Sequence, residues 1–343
     1  MTDRNDISPA AQAGEGAALH AGPWRRVWLG LLASPTAAIS ALGLVLIVVA
    51  TLMAPLYATY VSKTDPYRSG LSAKIEIDGK RVPVMQQSTE GLALGVTPIG
   101  PTWQGQYFLG ADTQGRDVMA RLLYGGLNSL LIAGAATLLC LLVAAVIGIV
   151  AGYAGGIVDG VLSNIIDIIW AFPVYLLAIS LSIVMIGKTF QIGPFEISSG
   201  SLIVPILIIG LVYVPYVARP IRGRVMAINQ SEFVIAARGL GIRPGCILWR
   251  HILPNVSTTL IVFAPMLMAL NIVTESSLSF LSVGVQPPNA SWGTILQDGQ
   301  ALIYSRPVVS LAPGLAIMFT VLLLNLFGDV LRDVLDPKSA RGR

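Results

Sequence analysis

Charge is scarce in this chain. Only 12% of its 343 residues are Asp, Glu, Lys or Arg, about half of the roughly 25% usual in soluble domains, while 54% are hydrophobic. That deficit excludes an ordinary soluble globule and places the chain in lipid. Cysteine is nearly missing as well: Cys140 lies in an apolar run and Cys246 in a polar one, so neither a disulfide framework nor a cysteine metal cluster can be built. Two histidines, His20 and His251, stand too far apart in sequence to suggest a metal pair. A phosphate-cradling loop is missing too. Its pattern is Gly, four residues, then Gly-Lys-Ser/Thr, and Gly187-Lys188-Thr189 has Ser182 where the first glycine belongs. No nucleophile and base fall into a recognisable pattern, so the chain is expected to be no enzyme and to bind no cofactor or metal itself. Its net charge of +4 is small and gathered in loops, which speaks of membrane topology rather than nucleic-acid binding.

What the sequence has in abundance is long apolar runs. A helix crosses a bilayer core with roughly 20 apolar residues, all of its backbone groups bonded within the segment. Six stretches meet that length: Thr36 to Leu56, Leu127 to Tyr153, Val161 to Gly187, Ser201 to Val217, Val256 to Thr274 and Val308 to Gly328. The fourth is the shortest and holds Pro205 and Pro215. A polar tail precedes the first, and no small-residue cleavage pattern follows it, so it reads as a retained helix rather than a signal peptide. The expected organisation is a tail over 1–35, a first span over 36–56, an outer segment over 57–124, a core of five spans over 125–330 and a tail over 331–343.

Lys and Arg distribution orients these spans. Arg4, Arg25 and Arg26 precede the first span; Arg219, Arg222, Arg224, Arg238, Arg243 and Arg250 follow the fourth; Arg332, Lys338, Arg341 and Arg343 follow the sixth. The intervening short loops hold only Lys188 and Arg306. Both termini and the loop over 218–255 are therefore expected on the cytoplasmic side of a bacterial inner membrane.

Within that loop, "SEFVIAARGLGIRPGCILWRHILPN" is too charged to span. Ser231 is placed to cap a helix beginning at Glu232, an anion favourable at a helix N-terminus. Phe233, Ala236, Ala237 and Leu240 recur at i, i+3, i+4 and i+7, which predicts one apolar helical face. Gly241 suits a left-handed helix end, and Pro244 resists continuation. As a bare topology signal, the arginines would need no such helix. The spacing, however, resembles the coupling motif of bacterial ABC importer permeases: Glu-Ala-Ala, three residues, Gly, nine residues, Ile, any residue, Leu-Pro. Ala236, Ala237, Gly241, Leu253 and Pro254 fall on its positions; Ile235 replaces its glutamate, with Glu232 one turn earlier, and His251 replaces an aliphatic residue.

Four further stretches, "LGADTQGRDVMARLLYGG", "GYAGGIVDGVLSNIIDIIWAFP", "ESSLSFLSVGVQPPNASWGTIL" and "LNLFGDVLRDVLDP", are similar to the C-type permease subunit of dipeptide and oligopeptide ABC importers. The resemblance implies an all-α membrane protein of six helices with the type I importer permease fold, here carrying an outer insertion between helices 1 and 2. It implies a B-type permease partner in a heterodimer, two ATP-binding subunits that hold the ATP and Mg, and an extracytoplasmic substrate-binding protein. On this reading Glu232, Phe233, Ala236, Ala237, Arg238, Leu240, Gly241, Arg250, His251, Leu253 and Pro254 couple the spans to the ATPases, and charging the helix at Ala237 is expected to abolish docking while the spans stay folded. Peptides are the expected substrate. An ATP-independent secondary transporter or channel is the alternative, although no internal inverted repeat is visible.

Polar residues bordering the spans carry the remaining expectations. Asp167, with Asn164 nearby, either lines a path or pairs with an inner-end arginine; Glu275 either touches a gate or lies exposed at the interface; Asn271 and Asn325 suit interhelical hydrogen bonds. Trp24, Trp28, Trp292 and Tyr304 are expected as interface anchors. In the outer segment, "KIEIDGKRVPV" predicts a hairpin turning at Asp78-Gly79, which could contact a binding protein, cover the pore mouth or only decorate the surface.

Overall fold

The computed structural model describes residues 29–77, 79–87, 95–192, 195–198 and 200–335. Trp24, Trp28 and His20, and the terminal arginines at 4, 25, 26, 341 and 343, lie outside those residues. Among the described residues, four helices are long and apolar enough to cross a membrane, and six spans result if each of two bent pairs counts as one.

Helix α1 (Pro35–Leu52) starts with Pro35 at its first position and Ser34 Oγ accepting from Ala37 N at 3.4 Å. It lies along the last helix, where a Cβ on Gly43 would come within 2.7 Å of Leu323. Helix α2 (Val118–Ala154) is 37 residues long and is capped by Asp117, whose Oδ1 accepts from Ala120 N at 3.0 Å. It begins well before the expected Leu127 because its first turns, although polar, are buried against the outer segment.

The third expected span is not one helix. Helix α3 (Gly156–Trp170) and helix α4 (Val174–Met185) meet at 86°. Pro173 is the cause, since it has no N–H to continue the ladder and disfavours helical backbone at the residue before it. Helix α5 (Ile203–Val212) and helix α6 (Val214–Asn229) meet at 44°, with Pro215 in the first turn of the second. Helix α6 runs past the expected end at Val217 and carries the arginines Arg219, Arg222 and Arg224 on helix rather than loop.

Beyond it come helix α7 (Glu232–Gly239), helix α8 (Pro244–Ile247), a π-helical turn over Leu248–Ile252 and helix α9 (Leu253–Phe280). Helix α10 (Trp292–Gln300) opens with a capping box in which Ser291 and Thr294 satisfy each other's backbone N–H. Helix α11 (Val308–Leu335) completes the bundle.

The core sits where α2, α5, α6 and α9 meet. Ile132, Ala136, Cys140 and Ala144 recur every four residues along α2 and are all fully buried, a stripe small enough for close backbone approach in lipid. The opposite side of α2 exposes Leu138, Leu142 and Val146, as α1 exposes Leu42, Val45 and Leu46, which gives the bundle an apolar outer surface suited to a membrane.

The outer segment is a folded unit. Strands β1 (Lys74–Ile77) and β2 (Lys80–Pro83) pair with Ile77 opposite Lys80, and Gly79 takes φ 76°, as the hairpin expectation requires. Strands β3 (Met85–Gln87) and β4 (Val96–Pro98) form a second antiparallel pair. Ile75, Val84, Ile99, Tyr107 and Ala111 close a small core of their own. Burial, with Asp117 nearby, pushes the Tyr107 phenol up to about 12, so at neutral pH it stays protonated and donates to Gly115 O at 3.2 Å. A third pair, β5 (Thr189–Ile192) with β6 (Phe195–Ser198), was not expected from the sequence.

A buried charge cluster ties this unit to the helices. Arg116 Nε lies 2.7 Å and Arg121 Nε 3.3 Å from Asp112 Oδ2, and both guanidiniums reach Asp298 Oδ2, at 2.8 and 3.0 Å. Arg121 also donates to Pro66 O at 3.3 Å. Asp112 holds its own turn by accepting from Gln114 N and Arg116 N. The stretch "GADTQGRDVMAR" is therefore a fastener joining the insertion, the start of α2 and α10.

Candidate partner-docking site

The loop between α6 and α9 is positioned by what α6 rests on. Gly148 and Gly152 of α2 face it, and a Cβ at either would lie 2.7 Å from Ile221 Cγ2 or Arg222 O. The two glycines thus let the backbones of α2 and α6 nearly touch. On its other side α6 is clamped to α3: Arg222 grips Asp159 with two hydrogen bonds of 2.5 and 2.6 Å, and Arg219 reaches Asp167 at 2.5 Å. Arg219 also lies 5.0 Å above the Trp170 ring, which stacks on Tyr216.

At the end of this clamped helix, α7 turns away. Ser231 does not cap it with its side chain as expected; its hydroxyl donates instead to Ile228 O at 2.5 Å, holding the turn out of α6. The C-terminal end of α7 is a Schellman turn. Ile242 N donates to Ala237 O at 3.1 Å, Gly241 N donates to Arg238 O at 2.9 Å, and Gly241 takes φ 72°. A Cβ on Gly241 would meet nothing within 4 Å, so its requirement is conformational. Gly241→Ala is expected to loosen the loop by about 1–2 kcal/mol, with Gly241→Asn milder; faster proteolytic cutting within 239–250, against unchanged cutting elsewhere, is the measure.

The expected face of α7 is divided by the structure. Val234 and Ala237 point inward, at 0% and 5% exposure, and join Ile247, Ile252 and Val225 in the core. Phe233, Ala236 and Leu240 point outward with Ile235 and Trp249. The expectation that Ala237 belongs to the outward face is thus corrected: i+4 from Phe233 rotates just far enough round the helix to reach the interior. Glu232, Arg250 and Pro254 are exposed, Leu253 is half-buried, and His251 is half-buried with its ring 5.9 Å from that of Phe233. Arg238 bonds to Asn229 Oδ1 and lies 5.9 Å from the Tyr153 ring, while Tyr153 donates to Pro244 O at 3.2 Å. Tyr153, Asn229, Val234 and Ile247 were not singled out in the sequence, though they fix the loop; Trp249, a large apolar residue in a polar loop, was a readable signal.

The bordering polar residues do not form one site. Asn164 is exposed on α3, and Asp167 has Arg219 as its partner. Asn271 is buried and donates to Thr137 Oγ1 at 2.9 Å, joining α9 to α2, whereas Asn325 is exposed on α11. Glu275 is neither exposed nor beyond the helix: it lies inside α9 at 0% exposure, because α9 continues to Phe280. Ser129 and Ser279 donate to its two oxygens at 2.8 and 2.7 Å. Those serines accept in turn from Trp292 N and Val285 N. Trp292 is correspondingly buried, with Nε1 donating to Leu122 O at 3.0 Å, and is no interface anchor; Tyr304 is 98% exposed. No group of His, Cys, Asp and Glu suited to a metal occurs among the described residues.

A mostly helical, multi-pass bundle with bent spans and an amphipathic helix held out on a clamped arm defines a membrane permease of the ABC importer class. Residues 144–341 match the family described as binding-protein-dependent transport system inner membrane component, and residues 22–72 match the N-terminal TM domain of oligopeptide transport permease C. The chain belongs to that transport permease family, in its C-type branch. It is 37% identical over 234 residues to the glutathione transport system permease protein GsiD of Escherichia coli O1:K1 / APEC, spanning 68% of this chain and 73% of that one. It is 33% identical over 232 residues to the same-named protein of Pectobacterium atrosepticum, with the same coverage. Among solved structures, a chain of the inward-facing MetNI methionine ABC transporter superposes with a TM-score of 0.51, at 19% identity, over 63% of this chain and 97% of that chain.

Proposed function

We propose that this chain forms half of a translocation pore for peptides in the bacterial inner membrane, and that α7 and its flanking turns dock into a cytoplasmic ATP-binding subunit. The observation that carries the reading is the exposed apolar surface made by Phe233 and Ile235 of α7, Leu240 at its end and Trp249 of the following turn, 49%, 57%, 81% and 72% exposed, while Val234 and Ala237 anchor the other side of α7 in the core. A large apolar ridge beyond the apolar spans, flanked by Glu232, Arg238 and Arg250, is the composition of a protein interface. Two ATP-binding subunits hold ATP and Mg, a B-type permease completes the pore, and an external binding protein delivers substrate to the outer face. With the docking loop cytoplasmic, both termini are cytoplasmic, as the Lys and Arg distribution favours. ATP-driven closure of the ATPase pair then moves the permeases as rigid bodies through the docked helices. Peptides are the substrate class consistent with the C-type resemblance, and the relatives named for glutathione transport carry a tripeptide. The test is purification of the tagged chain in mild detergent. Co-purification of a second permease and ATP-binding subunits is expected, and a chain that consistently emerges alone would favour the ATP-independent transporter.

A further inference from the structure

Between α6, α9 and α11, near the loop-bearing end of the bundle, lies a cleft of about 830 Å³. Asn325, Gly328, Asp329 and Arg332, at i, i+3, i+4 and i+7, present one face of α11 to it. Arg224 enters from α6, and Thr258 and Thr259 from the first turns of α9. Gly328 lets α11 settle on α9 at its floor, since a Cβ there would lie 3.3 Å from Pro265. The other wall is apolar and shaped by rings: Tyr216 meets Phe263 edge-on at 6.2 Å and points its hydroxyl at Met266 Sδ, 3.9 Å away.

Among the described residues the charges in this cleft are unpaired. Arg219 and Arg222 on the same helix are paired with carboxylates, but Arg224, Asp329 and Arg332 are exposed and form no ion pair or side-chain hydrogen bond among the described residues. Ionisable groups at the border of membrane spans face a water-filled path or a ligand rather than lipid. Two guanidiniums suit a carboxylate, and Asp329 suits an ammonium group. Thr258 gives its proton to Asn255 O at 2.9 Å and keeps lone pairs free for an amide N–H.

We propose that this cleft is a substrate contact of the permease itself, in which Arg224 and Arg332 hold the C-terminal carboxylate of a small zwitterionic peptide, Asp329 its amino terminus, and the Tyr216–Phe263 wall a side chain. The proposal rests on the importer reading for its physiological meaning. A zwitterionic lipid headgroup shares the two charges but offers no amide to Thr258 and no side chain to the ring wall.

The test uses the full complex in nanodiscs without the binding protein, and measures equilibrium binding of alanyl-phenylalanine, its C-terminal amide and its N-acetyl form. The wild type is expected to bind the free dipeptide saturably and each blocked form at least about tenfold more weakly, the scale of one charge-assisted hydrogen bond. Arg332→Gln and Arg224→Gln should weaken the free dipeptide by about the same factor and leave the amide unchanged, with Arg332→Lys in between. Asp329→Asn should leave the N-acetyl form unchanged. Absence of saturable binding by the wild type, or equal losses for free and blocked forms, overturns the proposal. So does retention of phosphatidylethanolamine over phosphatidylcholine that depends on Arg224 and Arg332 while the dipeptide is indifferent to them. If ATP-binding subunits never accompany the chain, the importer reading fails, and the same titration on the chain alone still decides the cleft.

Discussion

Ala236→Glu is expected to strip the proposed ATP-binding subunits from the purified complex and to leave the permease as stable as the wild type. Ala236 is exposed on α7 between Phe233 and Leu240, so nothing in the chain itself opposes a longer polar side chain there. Buried beneath a partner, the same carboxylate loses its hydration and meets an apolar ridge; an unpaired charge in that position is costly enough to reduce association at least about 100-fold. Its neighbour is the control. Ala237 is 5% exposed and packs in the core with Val234, so Ala237→Glu forces a charge into the loop's own support and lowers thermal stability together with docking. The pair is measured by co-purification and by melting of the isolated permease in detergent. An Ala236→Glu chain that keeps its full complement of ATPases would refute docking through this ridge.

Asp112→Asn is expected to have the second large effect, at the opposite end. Asp112 is 1% exposed and faces two guanidiniums, those of Arg116 and Arg121, with Asp298 as the one other anion paired to them among the described residues. Neutralising it leaves a buried positive charge without a counter-ion, and breaking a buried pair from one side costs about 3–5 kcal/mol. The outer unit over 64–117 should detach from α2 and become the first site of proteolysis, with a lowered melting temperature. Combining it with Arg121→Gln restores the charge balance, so the double variant should be less destabilised than the sum of the two single ones. Additive losses would mean that packing of the insertion, rather than its charge cluster, holds that end together.

Much of this was legible in the sequence because apolar length and turn chemistry are local properties. The membrane class, the hairpin at Gly79, the left-handed Gly241 and the short helix after Ser231 all follow from residues close in the chain. What stayed hidden depends on distant partners. Glu275 looked like a span border because a carboxylate is expensive in a membrane; it is tolerated inside α9 because Ser129, more than a hundred positions away, donates to it. The bend at Pro173 leaves no mark on hydropathy, because the apolar run passes straight through it and hydropathy does not register backbone direction. The periodicity of α7 is equally satisfied with Ala237 on either side, and only the packing of Val234 breaks the tie. The buried setting of Trp292 likewise depends on the carbonyl of Leu122 across the bundle.

Helix α2 runs without a break from the outer charge cluster to the loop between α6 and α9. Its 37 residues rise about 1.5 Å each, roughly 55 Å in all. Arg121 near its start is locked into the outer fastener, and Tyr153 near its finish touches both Arg238 and Pro244 of the loop between α6 and α9. Its neighbours are elbowed, α3 against α4 at 86° and α5 against α6 at 44°. If the loop docks an ATPase as proposed, a push delivered there would meet a stiff strut beside jointed neighbours: the strut would carry the displacement across the bilayer, and the joints at Pro173 and Pro215 would be where the bundle yields.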